Sequence, residues 1–502
     1  MSMYLVAKKI DLFTGGVLVV VLNDKDASIA GINPGDLVAI KKGDRTLNVR
    51  VDISATLVKE GVAGIFKDVV DALNIVDGDI IKIETLSSSP AVKAIVKKLL
   101  RNELTEDEIR EIIKGIVEHR LGTIESAYFA ACGFNPGFSE KELYYLTKAV
   151  AETGATIDWK KELGIDKVVD KHCIGGIPGK GITPILVSII GSVGLVIPDA
   201  PSRAITAPAG TADVMEVFCP VTFTRDEVVE LVRRIGACIV WGGGLDIAPA
   251  DEDLIRIERP LGIELYDKFI VSILAKKVAM GITHLVLDLP VGKGTKVEHD
   301  HDIPVIKRKF ATLASKFNII LDILERRPLG PDGRGIGPAL EARDIMFVLE
   351  QDQKRYLPLE SISVKLSGRL LEICGYAKEG SGEKIARKQL ETGKALDMFR
   401  KIIKNQGGNP DITHDSIPVG DIIYIAHAPV SGEVKKIDNK KIKEITTILG
   451  CPYNKKSGVY LYKQVNEEVR KGEDLLKIYA TNSERLEAVK EFLKNEQVVT
   501  IE

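Results

Sequence analysis

Residue types able to do chemistry gather between Lys171 and Glu216, in the segment KHCIGGIPGKGITPILVSIIGSVGLVIPDAPSRAITAPAGTADVME. An apolar lead-in, Val168-Val169, runs into a glycine-rich stretch bearing Lys171, His172, Gly175, Gly176 and Lys180. Thr183 and Pro184 are spaced as the N-cap and first-turn residues of an apolar helix. A short strand, Leu195 to Pro198, leads to a second loop, Ser202 to Thr211, which carries Arg203. Asp213 and Glu216 fall where the next helix starts. Strand, loop and helix thus recur twice, and each loop sets backbone N–H groups beside a helix N-terminus and a cationic side chain. Such an arrangement binds anions, phosphate above all. Spacing excludes a P-loop, which would need glycine at Ile174 and Ser or Thr at Gly181. It also excludes the dinucleotide fingerprint, since no G-x-G-x-x-G opens a helix here.

A third loop of the same kind follows. Leu285 to Leu289 reads as a buried strand, and Val291-Gly292-Lys293-Gly294-Thr295-Lys296 stands at its end, where parallel sheets take their ligands. Just upstream, Asp267 to Met280 reads as an amphipathic helix on which Ser272 and Lys276, at i and i+4, share a face. The run Glu298-His299-Asp300-His301-Asp302 has the residue types of a metal site. Neighbours in one loop rarely converge on one ion, so it reads as a solvated, cap-rich loop, and no metal is expected.

The rest of the 502-residue chain sets limits on these loops. Apolar residues make up 45% and charged residues 28%, enough for sizeable cores and a polar surface. A net charge of −2 gives no general case for nucleic-acid or membrane binding, so an anion site must be local. No apolar run reaches the roughly 20 residues of a membrane span. The N-terminus lacks a signal-peptide layout. The six cysteines are scattered without C-x-x-C pairing, as in a reducing cytoplasm. High Lys, Glu and Ile with little Gln is a thermophile pattern.

The elements needed to position the loops follow in order. Residues 1–86 alternate as strands at Val17–Val21, Leu37–Ile40, Leu47–Val51 and Ile80–Ile83. Gly31-Ile32-Asn33-Pro34-Gly35-Asp36-Leu37-Val38 echoes Asn74-Ile75-Val76-Asp77-Gly78-Asp79-Ile80-Ile81, as in a small pseudo-symmetric β-barrel for assembly. Ser87 to Pro90 reads as a linker. Helices dominate to about residue 165, two of them opened by the capping boxes Thr105…Glu108 and Ser139…Glu142. Residues 385–405 read as one long basic helix, and the last segment alternates strands and helices. The expected fold is α/β: a helical lobe (91–165 and 249–279) and a large α/β lobe with a central mixed sheet (166–248 and 280–425). A barrel (1–86) precedes them, and a C-terminal α+β segment of the α/β lobe (426–502) follows.

Ser202 to Asp213 with Glu216 resembles the signature of the thymidine and pyrimidine-nucleoside phosphorylases, and Lys171 to Gly176 resembles their phosphate loop. The archaeal branch, the AMP phosphorylases, is the most similar, and it also carries an N-terminal extension. The resemblance implies phosphorolysis of nucleoside 5′-monophosphates, AMP and orthophosphate giving adenine and ribose 1,5-bisphosphate, without a cofactor. It places the attacking phosphate at Lys171, Gly175, Gly176 and Thr211. It places the nucleotide at Gly176, Ser202, Arg203, Ala204, Ile205, Thr206, Ala207, Thr211, Ser272, Lys276 and Lys296. Glu264 stands where the archaeal branch has a proton-donating Asp, with Asp267 as the alternative acid, and His172 matches the loop histidine. Two departures accompany this. The pyrimidine-reading arginine of thymidine phosphorylases falls at Ile257 or Glu258, and Cys173 replaces a phosphate-binding serine. Expected partners are AMP and phosphate, with no nucleic acid or membrane, in a cytoplasmic homo-oligomer of at least two chains. A pyrimidine-nucleoside phosphorylase, an anthranilate-type phosphoribosyltransferase and a non-catalytic assembly protein are the alternatives.

Overall fold

Aliphatic residues on alternating positions close six N-terminal strands into a barrel in the computed structural model, which describes residues 2–15, 18–85, 89–179, 181–204, 208–258 and 266–502. The strands are β1 (Ser2–Ile10), β2 (Val19–Asn23), β3 (Leu37–Lys42), β4 (Arg45–Ser54), β5 (Val62–Phe66) and β6 (Ile80–Thr85), closed in the order β1-β5-β2-β4-β3-β6. Val20, Leu22, Val38, Ile40, Val49, Val51, Ile65, Ile81 and Ile83 fill it. The sequence echo is a true repeat. Helices Asp24–Ala30 and Lys67–Leu73 end at left-handed Gly31 and Asn74. The Asp36 and Asp79 carboxylates then accept the Asn33 and Val76 N–H groups, each at 2.7 Å, and a strand follows. The sequence pattern does not reveal β1 and β5. Lys8-Lys9 interrupts the alternation of one, and Gly64 sits in the other because a Cβ there would lie 2.7 Å from Ile10 Cδ1.

Helices Pro90–Leu99, Glu106–Val117, Thr123–Ala131 and Glu140–Ala151 come next. Both capping boxes are present. Ser89, expected in a linker, accepts the Ala91 N–H at 3.2 Å and caps the first of these helices; Ser87 lies outside the described residues.

Five parallel strands carry the loops of interest: β7 (Val169–Cys173), β8 (Ile197–Asp199), β9 (Ala237–Ile239), β10 (His284–Pro290) and β11 (Ile320–Arg326). β11, β10 and β7 pair in that order, β8 pairs with β9, and a parallel bridge from Val168 to Val196 joins the two sets. This sheet is therefore parallel where a mixed one was expected. Antiparallel pairing is found in the C-terminal region, where Gly335–Ile336, Gly458–Leu461, Asp474–Ala480 and Ile422–His427 form one sheet. Helix Ile182–Ser192 is buried along nearly its whole length, as its all-round apolar sequence requires. The expected 385–405 helix is two, Gly382–Glu391 and Lys394–Asn405, parted at Gly393 with φ +74°.

The chain forms two compact units, Met1–Thr153 with Pro249–Lys268, and Gly154–Ala248 with Phe269–Glu502. Helix Tyr266–Ala279 passes from one to the other at Lys268-Phe269. Among the described residues no helix is long and apolar enough to cross a membrane.

Candidate active site

Lys171, His172 and Cys173 belong to β7 itself and not to the loop after it. Lys171 is buried, and its Nζ donates to Thr183 Oγ1 at 3.2 Å. The helix begins at Ile182 with Gly181 at the N-cap and no side-chain cap, so Thr183 receives Lys171 in place of the capping role expected of it. Gly175 and Gly176 have φ of +102° and +100°, backbone that a side chain resists. A Cβ on Gly176 would lie 2.7 Å from Thr295 Cα and 2.8 Å from Lys296 N, and one on Gly175 would lie 3.6 Å from Lys296 Cε. The two glycines thus let the first loop lie directly on the third. Thr295 fixes that third loop. Its hydroxyl lies 2.8 Å from both the Gly292 and Val297 carbonyls. The acids of the 298–302 run serve the same loops: Glu298 accepts the Gly294 N–H at 3.0 Å, and Asp300 pairs with Arg327 at 2.9 Å.

In the second loop, Asp213 accepts the Ala204 and Gly210 N–H groups at 2.7 and 2.8 Å. Gly210 admits no side chain, since a Cβ would lie 2.5 Å from Ser202 O. Arg203 turns towards its own loop. Its guanidinium grips Glu216 at 2.7 and 2.8 Å, reaches Asp213 at 3.1 Å and stacks on Trp241 with 4.7 Å to the ring centroid. The hydrogen bond to Glu216 raises the Arg203 pKa, and the same bond pulls Glu216 down to about 2. Lys455, from the C-terminal segment, also pairs with Glu216 at 2.6 Å. Arg203 therefore braces the loop, and Thr211 is buried at the first turn of Thr211–Met215.

Helix Tyr266–Ala279 brings the half-buried Ser272 and Lys276 into the second unit, and Lys276 Nζ donates to Ser202 Oγ at 3.4 Å. The next residue, Lys277, is buried and pairs with Asp170. Around His172 the consequence is electrostatic. Desolvation, then Lys277, Lys276, Lys171 and Lys296 in turn, hold its pKa well below the ordinary histidine value, so the ring is neutral at pH 7.

Cys173 donates to Asp288 on β10. Burial pushes the Asp288 carboxyl up, but Arg326, at 2.7 and 3.0 Å, overrides this and holds it below its ordinary value. Arg326 also forks onto Asp332 at 2.6 and 2.7 Å, and Asp332 N donates to Pro178 O. The thiol is thereby committed to the wall beneath the first loop.

The structure brings together Lys171, His172, Gly175, Gly176, Lys296, Lys276 and Ser202. Lys180, Ile205, Thr206, Ala207 and Glu264 lie outside the described residues, and Asp267 belongs to the first unit. Sequence reasoning missed Asp170, Asp199, Asp288 and Arg326. A signal was there: an acid inside an apolar strand, as in Leu285–Leu289, needs a buried partner.

The folded core matches anthranilate phosphoribosyltransferase from Thermus thermophilus with a TM-score of 0.51 at 16% identity, covering 62% of this chain and 99% of that one. The enzyme from Saccharomyces cerevisiae matches with a TM-score of 0.50 at 12% identity, over 64% and 98%. Residues 433–500 match the pyrimidine nucleoside phosphorylase C-terminal domain. A parallel sheet of this fold with lysine-rich strand-end loops and that C-terminal domain defines a pentosyl-transferring enzyme of the nucleoside phosphorylase class. Within that class, AMP phosphorylase of Thermofilum pendens is 39% identical over 96% of this chain and 92% of its own. That of Thermococcus kodakarensis is 37% identical over 98% and 97%. The chain belongs to the AMP phosphorylase family.

Proposed function

We propose that this chain cleaves nucleoside 5′-monophosphates with orthophosphate, taking AMP to adenine and ribose 1,5-bisphosphate. The observation that carries the proposal is the convergence of Lys171, Lys276 and Lys296 on a neutral His172, with Lys277 held behind them by Asp170. Lysines are costly to assemble so closely, and an incoming dianion offsets their repulsion. An oxygen of the bound phosphate attacks C1′ of the ribose as the C1′–N bond to the base breaks. The lysines hold the nucleophile, and charge developing on the ribose faces that phosphate. The base leaves with a proton, which we assign to Glu264, with Asp267 as the other acid of the segment. Ser202, Ala204 to Ala207, Thr211, Ser272, Lys276 and Lys296 line the nucleotide, and Arg203 holds the second loop. Gly175 and Gly176 offer backbone N–H groups to the phosphate.

The reading extends to organisation. The barrel serves assembly of a homo-oligomer, and residues 91–165 and 249–279 act as one lobe. Six free cysteines suit a cytoplasmic setting. Ile257 or Glu258, where thymidine phosphorylases have arginine, disfavours a pyrimidine nucleoside as substrate; Arg256 beside them pairs with Asp253.

The test is adenine release from AMP. It should require phosphate, persist in EDTA, and be far faster for AMP than for adenosine. Equal kcat/KM for the two overturns the nucleotide claim, and loss in EDTA with recovery on magnesium favours a phosphoribosyltransferase.

A further inference from the structure

Beneath the lysines lies a cluster that the proposed chemistry does not use. Asp170, Asp199 and Lys277 have side chains 1%, 4% and 3% exposed. Lys277 Nζ is 2.5 Å from Asp170 Oδ2 and 3.8 Å from Asp199 Oδ1. The other Asp170 oxygen accepts the Lys171 N–H at 2.7 Å. Asp199 Oδ2 is enclosed with no hydrogen-bond partner among the described residues. Two buried carboxylates thus share one ammonium.

Place in the chain gives the cluster its meaning. Asp170 precedes Lys171 and His172 on β7. Asp199 ends β8, where the Ser202 loop departs. Lys277 follows Lys276 on its helix. Each member is one to three residues from a residue of the candidate site, and each comes from a different segment. We propose that Asp170, Asp199 and Lys277 are positioning residues, a buried, net-neutral unit of one ammonium, one carboxylate and one carboxylic acid that pins the three segments together and fixes the Lys277 ammonium near His172. The inference rests on the phosphorylase reading for its kinetic arm alone.

Charge counting supports the assignment. Two ionised acids and one lysine would leave a net negative charge buried next to a phosphate site. A proton on Asp199 makes the unit neutral. Burial, then the neighbouring Asp170, raise the Asp199 pKa well above its ordinary value. Burial opposes the Lys277 charge, yet Asp170 and Asp199 hold its pKa above the usual lysine value. Two further titratable groups face the acids: Lys171, which opposes the rise at Asp199, and Cys238 on β9, which burial first and then the acids keep a thiol. His172 itself faces Lys276 and Lys277 from the helix, Lys171 from its own strand and Lys296 from the third loop.

The experiment titrates His172 by NMR in ¹³C-histidine-labelled full-length protein, with the resonance assigned by its loss in His172→Asn. Lys277→Met should raise the His172 midpoint by one pH unit or more, and Lys277→Arg should restore it. An unmoved midpoint in folded Lys277→Met overturns the proposal. In parallel, Asp199→Asn mimics the protonated acid and Asp170→Asn removes the ionised one. Asp199→Asn should keep at least tenfold more kcat/KM than Asp170→Asn. Equal losses overturn the assignment of the proton, and this contrast stands even if Lys277→Met does not fold. A wild-type protein that releases no adenine refutes the phosphorylase reading and leaves the titration to judge the buried unit.

Discussion

Inside the N-terminal barrel the buried side chains among the described residues are apolar apart from Asn23, whose amide donates to Val58 O at 3.0 Å. Its ionic contacts, Lys41 and Lys82 with Glu84 or Lys42 with Asp79, stay at the surface. Around β7 and β10 the buried set includes Asp170, Lys171, Asp199, Lys277 and Asp288. Burying a charge is expensive unless it is paired and hydrogen-bonded, and each of these has a named partner or shares one. The barrel core avoids that cost. The core around β7 and β10 accepts it, and braces the charges with a second layer such as Arg326 on Asp288 and Asp332.

The comparison can be broken most severely at the proposed acid. Glu264→Gln keeps shape but cannot give up a proton, so kcat should fall by about two to four orders of magnitude with little change in KM for AMP. Asp267→Asn should be mild, and the reverse order would exchange their roles. In the barrel, Ile65→Ala should cost about 2–5 kcal/mol of that module's stability, read by chemical denaturation, because the site collapses only in part. Its kcat should stay near wild type at a temperature where the barrel remains folded. A large fall in kcat would mean that the barrel takes part in turnover.

Burial predicts a pH signature near neutrality in the second unit. Burial pushes Asp344 up to about 7, against hydrogen bonds from Gly335 and Arg334. An acid whose folded pKa is raised contributes its stability below the unfolded value near 4, and that stability is lost as pH rises towards 7. Asp344→Asn should therefore match wild type near pH 4 and be more stable at pH 8, by up to about 3 kcal/mol relative to pH 5. A constant difference across that range would show that Asp344 is ionised throughout. The finest test uses glycines. Gly176→Ala should lose about 1–3 kcal/mol and bind phosphate more weakly, since it has both left-handed backbone and Thr295 against it. Gly78→Ala, with φ +89° and open space around it, should cost about 1 kcal/mol and leave kinetics unchanged.

Much of this could be read from local pattern. Capping boxes, the Asp36 and Asp79 turns, the strand-end glycines and the i, i+4 pair Ser272 and Lys276 all act within a few residues, where spacing carries geometry. What escaped depends on partners far along the chain. The grip of Arg203 on Glu216 and Trp241, with Lys455 on the same Glu216, joins segments that no local spacing connects. β1 was hidden because a barrel strand need only be apolar on one face for part of its length. The Asp170, Asp199 and Lys277 unit joins residues up to 107 positions apart, and no periodicity encodes such a meeting.

The contact of Lys455 with Glu216 also bears on how such chains can be recombined. Glu216 belongs to the second loop's signature, whereas Lys455 lies inside the segment that matches the pyrimidine nucleoside phosphorylase C-terminal domain. A chimera that takes its C-terminal segment from one relative and its core from another inherits the two halves of this pair from different parents. Residues 216 and 455 should therefore be exchanged as a unit, and grafts that split them should arrive with a loosened second loop however well each half folds.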